Sequence, residues 1–97
     1  MSLFKLKIHR AVKKDLKKIS PQAAREIVNK VLPKIAENPL VGLSLVGPLK
    51  DYFKLVFFFE GVNYRIVYQA YHQQKIVFIV AIGPREKFYE RLIRRIS

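Results

Sequence analysis

Four side chains have the types and spacing to act together on a phosphodiester: Lys54, Arg65, Arg85 and Tyr89. A hairpin turning at Glu60-Gly61 places Val56 opposite Arg65 and Lys54 opposite Val67, so Lys54 and Arg65 become diagonal neighbours on one sheet face. A one-residue bulge would send the two cations to opposite faces, and residue counting leaves both registers open. Arg85 follows Gly83-Pro84, where it can reach over the sheet from the start of a helix, and Tyr89 shares its helix face at i+4. Cations of this kind neutralise and clamp a phosphate. RNA brings its own nucleophile, the 2′-hydroxyl. A protein need only take that proton, stabilise the extra charge on phosphorus and protonate the leaving oxygen. Lysine can serve as the base where neighbouring cations depress its pKa, and tyrosine can stack on a base or assist proton transfer. Each residue also has a plainer reading: Lys54 and Arg65 as solvated sheet cations, Arg85 as a helix-end contact, Tyr89 as packing.

The elements that must hold these residues follow from the apolar pattern. Leu3 to Ile8 alternates as a short strand with Phe4, Leu6 and Ile8 inward. From His9 to Ile19, the spacing of Val12, Leu16 and Ile19 predicts an amphipathic helix whose other faces carry Arg10, Lys13, Lys14, Lys17 and Lys18. Ser20-Pro21 supplies an N-cap and a first-turn proline for a second helix, with core stripe Ile27, Val28, Val31, Leu32 and Ile35. Pro33 lacks an N–H and crowds the preceding turn, so a kink or a restart is expected before Asn38-Pro39. Residues 40 to 51 read as a loop. Tyr52 to Phe59, Tyr64 to Ala70 and Lys75 to Ile82 read as three antiparallel strands. Pro84 opens a last helix with Phe88, Leu92 and Ile96 on its apolar stripe and Arg91, Arg94 and Arg95 outward. The expected architecture is one α+β domain over residues 1–97: an N-terminal strand, a helical hairpin, a three-stranded antiparallel meander and a C-terminal helix, with the helices packed on one side of an antiparallel sheet.

Composition narrows the chemistry further. The 97 residues contain no cysteine, which removes thiolate nucleophiles and sulfur-ligated zinc, and two His with seven carboxylates offer little to any metal. A metal-free chemistry with no cofactor is the expectation. His9, at a strand-to-helix junction, and His72, in a turn, read as surface residues with no partner for a catalytic dyad. Phe57, Phe58 and Phe59 point alternately to both faces, so at least one is exposed unless covered; they read as core and partner-contact surface rather than a base-stacking platform. No apolar run approaches the roughly 20 residues of a membrane span. The first ten residues alternate charge with hydrophobe, so a cytoplasmic location with no membrane partner is expected.

Nineteen Lys and Arg against seven Asp and Glu give a net charge of +12, a self-repulsion that points to a polyanionic partner. Residues 5–18 alone hold seven bases and one acid. Lys13, Lys17, Lys50, Arg91, Arg94 and Arg95 are the cations expected to bind RNA around the reacting phosphate.

The order β-α-α-β-β-β-α, the segment Leu49 to Leu55, the strand Asn63-Tyr64-Arg65-Ile66-Val67-Tyr68-Gln69 and the finish Ile82-Gly83-Pro84-Arg85 leading to Tyr89 resemble the RelE/ParE superfamily of toxins from type II toxin-antitoxin systems, over essentially the whole chain and closer to RelE. The resemblance implies an mRNA interferase that cleaves message in the ribosomal A site, with ribosomal RNA as a further contact. Lys54, Arg65, Arg85 and Tyr89 match family positions for the catalytic groups. The family lysine two residues after the first is Val56 here, so Lys54 has to compensate for it. The resemblance also implies an acidic, RelB-like antitoxin that wraps the toxin in a hetero-oligomer. ParE-type members share the fold and are described as DNA gyrase inhibitors, and a toxin-fold RNA or antitoxin binder with weakened catalysis is a third reading.

Overall fold

The computed structural model describes residues 3–84 and 88–96, without the side chain of Phe88. In chain order the elements are β1 (Lys5–Ile8), α1 (Val12–Lys17), α2 (Pro21–Glu26), a π-helical segment (Ile27–Val31), α3 (Leu32–Glu37), a 3-10 turn (Pro39–Val41), β2 (Leu43–Ser44), a second 3-10 turn (Gly47–Leu49), β3 (Phe53–Phe59), β4 (Val62–Tyr71), β5 (Ile76–Gly83) and α4 (Phe88–Ile96). The five strands form one sheet in the order β1-β5-β4-β3-β2.

The meander β3-β4-β5 is antiparallel as expected. At its first turn Glu60 and Gly61 both take positive φ, 48° and 81°, the combination whose twist suits a two-residue hairpin. The pair Phe59 and Val62 closes that turn, and the register then runs without a bulge to Phe53 and Tyr68. On the other side of β4 there is a bulge. Val67 pairs with Ala81 but Tyr68 pairs with Ile79, which leaves Val80 as the extra residue. The irregularity lets Val80 and Ala81 both turn toward one face while Ile79 and Ile82 serve the other.

Two expectations are corrected. The sheet is mixed, because β1 lies parallel to β5; the helices and strands β2 to β4 intervene in the chain, and the turn after β4 starts β5 in the same sense as β1. The helices also occupy both faces. Val12, Ala23, Ile27, Val31, Leu32 and Ile35 pack from α1–α3 onto Tyr64, Ile66, Tyr68, Val77, Ile79 and Ile82. On the opposite face Leu92 and Ile96 of α4 pack with Leu49, Val67, Val80 and Ala81. β5 is therefore covered on both sides, which explains its unbroken apolar sequence, whereas β4 keeps Asn63 and Arg65 where the cover ends.

The second helix restarts at Pro33. Ser20 caps α2, its hydroxyl accepting from the Ala23 N–H at 3.1 Å. Before the proline the helix widens, the Leu32 N–H bonding to the Ile27 carbonyl five residues back, and α3 begins with Pro33 in its first turn. The wider turn accommodates a ring that an α-helical turn would clash with. It also rotates Val28 off the core stripe, and that residue is 44% exposed instead of buried. Ile8 likewise lies exposed, where the chain leaves the sheet.

Tyr68 fixes the segment that precedes β2. Its buried ring stacks on Phe53 at 5.6 Å, its hydroxyl donates to the Pro39 carbonyl at 2.7 Å, and the Gly42 N–H donates to that hydroxyl at 3.0 Å. Gly42 is required at this approach: a Cβ there would lie 2.5 Å from the Tyr68 hydroxyl and 2.8 Å from the Lys54 carbonyl. The stretch read as loop thus contains the edge strand β2, with Leu43 paired to Lys54.

Candidate functional site

β3 and β4 bring the central cations together. Lys54 is opposite Val67 and Val56 is opposite Arg65, so Lys54, Val56, Arg65 and Val67 share the face on which α4 packs. Lys54 and Arg65 are diagonal partners, with Cβ atoms about 7 Å apart by the geometry of antiparallel sheets. Both are half-buried. On its other flank Arg65 faces Gly83, the last residue of β5, where the lack of a side chain leaves room for the guanidinium. Arg65 Nη1 donates to the Pro84 carbonyl at 3.0 Å. It therefore pins the exit of β5 immediately before Arg85 in sequence. Arg85 itself lies outside the described residues.

Tyr89 stands on the same side of the sheet, packed with the Leu49, Val67, Val80, Ala81 and Leu92 cluster. Its hydroxyl oxygen is buried, so the first turn of α4 must shift before that hydroxyl can touch a substrate. Tyr52 packs on the same cluster, and burial, followed by Tyr71 and Asp51, raises the pKa of its hydroxyl. Val56, at 46% exposure, opens directly beside Arg65. Lys50 is exposed next to buried Leu49, at the border of this face.

The remaining cations sort by helix. Lys13 and Lys17 on α1 and Arg91 and Arg94 on α4 are exposed. Arg95 is a correction: it turns inward. Its Nη1 and Nη2 donate to the two oxygens of Asp15 at 2.8 and 3.0 Å, and Nη1 also donates to the Val80 carbonyl at 2.9 Å. Asp15 is 6% exposed and accepts a third bond, from the Ile82 N–H at 3.0 Å. The pair thus occupies the flank of β5 beyond its last partner in β1, where backbone groups would otherwise be left unpaired. Bonding to Asp15 raises the Arg95 pKa, against the opposing effect of burial. Because Asp15 belongs to α1 and Arg95 to α4, this bond joins the two most basic helices of the chain. The signal for it was present in the spacing: Asp15 is the lone acid of residues 5–18 and falls on the Val12, Leu16, Ile19 stripe, and Arg95 follows Leu92 by three.

His9 is half-buried and His72 exposed. His9 Nδ1 accepts from the Ala11 N–H at 3.1 Å at the entry to α1, and His72 meets Phe4 edge-on at 5.5 Å. Among the described residues no three His, Asp or Glu side chains are grouped as a metal site requires, and no helix is long and apolar enough to cross a membrane. A cavity of about 390 Å³ between α2 and the hairpin turn is walled by Arg25, Glu26, Lys30 and Glu60, away from Lys54 and Arg65.

The sequence profile of the ParE-like toxins of type II bacterial toxin-antitoxin systems matches residues 6–93. The chain belongs to this family. Among curated relatives of this toxin, the mRNA interferase toxin RelE of Escherichia coli is 30% identical over 74 residues, covering 74% of this chain and 76% of that one. The toxin fold is shared with solved structures. The RelBE2 toxin-antitoxin complex of Mycobacterium tuberculosis matches with a TM-score of 0.75 at 23% identity, over 88% of this chain and 94% of that one. The intact Escherichia coli RelBE complex matches with a TM-score of 0.66 at 20% identity, over 86% and 98%.

Proposed function

We propose that this toxin is an RNA endonuclease that cleaves message in the ribosomal A site, without a metal ion. The observation that carries the reading is the diagonal Lys54–Arg65 pair on the open sheet face, with Arg65 tied to the carbonyl that precedes Arg85. A phosphate seated over this face lies against both cations. The ribose 2′-oxygen gives up its proton to the Lys54 amine and attacks phosphorus. Arg65 and Arg85 hold the charge that accumulates on the non-bridging oxygens, and the bond to the 5′-oxygen breaks as that oxygen takes a proton from water, the hydroxide left behind being neutralised by the proton on Lys54. The products are a 2′,3′-cyclic phosphate and a 5′-hydroxyl. Tyr89 joins the site only after α4 yields its first turn. Lys13, Lys17, Lys50, Arg91 and Arg94 hold the surrounding RNA through phosphate contacts.

The curated relative is named an mRNA interferase, and the solved RelBE complexes hold a toxin with its antitoxin. By the same reading, an acidic RelB-like antitoxin neutralises this chain's +12 charge in the resting hetero-oligomer. Induced expression tests the function. Arrest of translation with message cut inside codons supports it, and Arg85→Ala abolishes the cutting while antitoxin binding remains measurable. The family's ParE-like description favours a second reading, inhibition of DNA gyrase. It predicts DNA breaks and an SOS response with message intact.

A further inference from the structure

We infer that Phe58 and Asn63 form a nucleobase-binding subsite one nucleotide away from the scissile phosphate, an assignment that rests on the RNA reading above. The three consecutive phenylalanines do not behave alike. Phe57 and Phe59 stack on one another at 5.8 Å against the helical core. Phe58 points to the opposite face, the face of Lys54 and Arg65, and is 66% exposed. A ring held by a paired strand one residue before a tight turn loses little freedom when it is covered, so it is a prepared stacking surface.

Its neighbours say what should cover it. Directly across the ladder is Asn63, exposed; diagonally across is Arg65; two residues along β3 is Val56. Only Val56 is apolar. A protein interface surrounds an exposed ring with other apolar groups and a polar rim, whereas here a ring, a side-chain amide and a guanidinium lie side by side. That set matches one nucleotide: the ring stacks on a base, the amide donates and accepts along the base edge, and the cation meets the adjoining phosphate. The row Phe58–Asn63 lies about 7 Å along the strands from the row Val56–Arg65, two residues at roughly 3.3 Å each. The base bound there therefore belongs to a nucleotide adjacent to the one attacked, and the pair contributes to the choice of sequence that is cut.

The test uses a short fluorescent 2′-O-methyl oligoadenylate, which lacks the attacking hydroxyl, and copies of it with one abasic residue at successive positions. Binding is measured by anisotropy over a salt series. Phe58→Ala weakens binding about tenfold with the salt slope unchanged, and Phe58→Trp restores it. One abasic position reproduces the loss in the parent chain and adds nothing in Phe58→Ala. Asn63→Ala narrows the preference between oligoadenylate and oligouridylate. Phe58→Ala binding as the parent does, while Arg65→Ala binds more weakly with a shallower slope, overturns the subsite and leaves the RNA reading standing. Loss of a co-expressed antitoxin from Phe58→Ala with RNA binding unchanged also overturns it, assigning the ring to a protein contact. Absence of salt-dependent RNA binding by the parent chain, with message intact on expression, removes the RNA reading and the subsite together.

Discussion

Removing the Asp15 carboxylate should unfasten α4 from the rest of the toxin. Asp15→Ala deletes three hydrogen bonds at 2.8 to 3.0 Å and leaves the Ile82 N–H and the Arg95 guanidinium facing a buried gap. Breaking one side of a buried ion pair costs about 3–5 kcal/mol. The 18% exposure of the Arg95 side chain allows partial resolvation, so the lower end, about 3 kcal/mol, is expected. Domains of this size have stabilities of roughly 5–15 kcal/mol, so the loss is a large fraction of the total. Asp15→Asn keeps an acceptor for the Ile82 N–H and loses the charge, and should cost about half as much. Urea unfolding of Asp15→Ala, Arg95→Ala and the double variant gives the coupling energy, expected at about 2 kcal/mol or more. Hydrogen exchange in the same samples should show faster exchange first at the Ile82 amide and along α4. Single variants that lose less than about 1 kcal/mol, or whose losses simply add, would refute a pair that fastens the helix.

Three further outcomes follow from the same contacts. Tyr68→Phe removes the hydroxyl shared by Pro39 and Gly42 and should cost about 1–3 kcal/mol in urea unfolding. Burial raises the Tyr68 pKa above its ordinary value of about 10, so its contribution is complete below that pH and fades as pH climbs through the raised value; the parent should lose more stability than Tyr68→Phe between about pH 8 and about pH 11. Val56→Lys adds a third cation beside Arg65 and should speed RNA cleavage and steepen the salt dependence of binding by about 0.7 in slope. Gly42→Ala should destabilise the chain and disturb the pairing of β2 with Lys54, seen as weaker protection of the Lys54 backbone.

The parts that could be read in advance were those fixed by local rules. Ser20-Pro21 marks a helix start by its own side chain and ring, and Glu60-Gly61 marks the hairpin turn; counting from it offered the shared face of Lys54 and Arg65 as one of two registers, and the bulge-free pairing of β3 with β4 decides for it. What escaped depends on distant partners. The inward turn of Arg95 exists because Asp15 of α1 meets it across β5, a separation of 80 residues. The parallel placement of β1 is likewise set by tertiary packing, since a four-residue strand carries no mark of its neighbour's direction. The extra residue at Val80 was hidden in an unbroken apolar run, where a bulge changes which face is served without changing residue type. The restart at Pro33 was legible, but the π-helical turn that removes Val28 from the core was not, because it shifts the helical period by one residue.

The reading of the site turns on Lys54 and Arg65 acting on one phosphodiester. The most direct measurement is the chemistry of the cut ends in a purified translation system, with the parent chain, Lys54→Ala and Arg65→Ala. The account predicts 5′-hydroxyl and 2′,3′-cyclic phosphate ends from the parent, with the rate reduced about a hundredfold or more in each variant whose fold is intact by circular dichroism. Undiminished cutting by both variants, or ends carrying a 5′-phosphate, would contradict it.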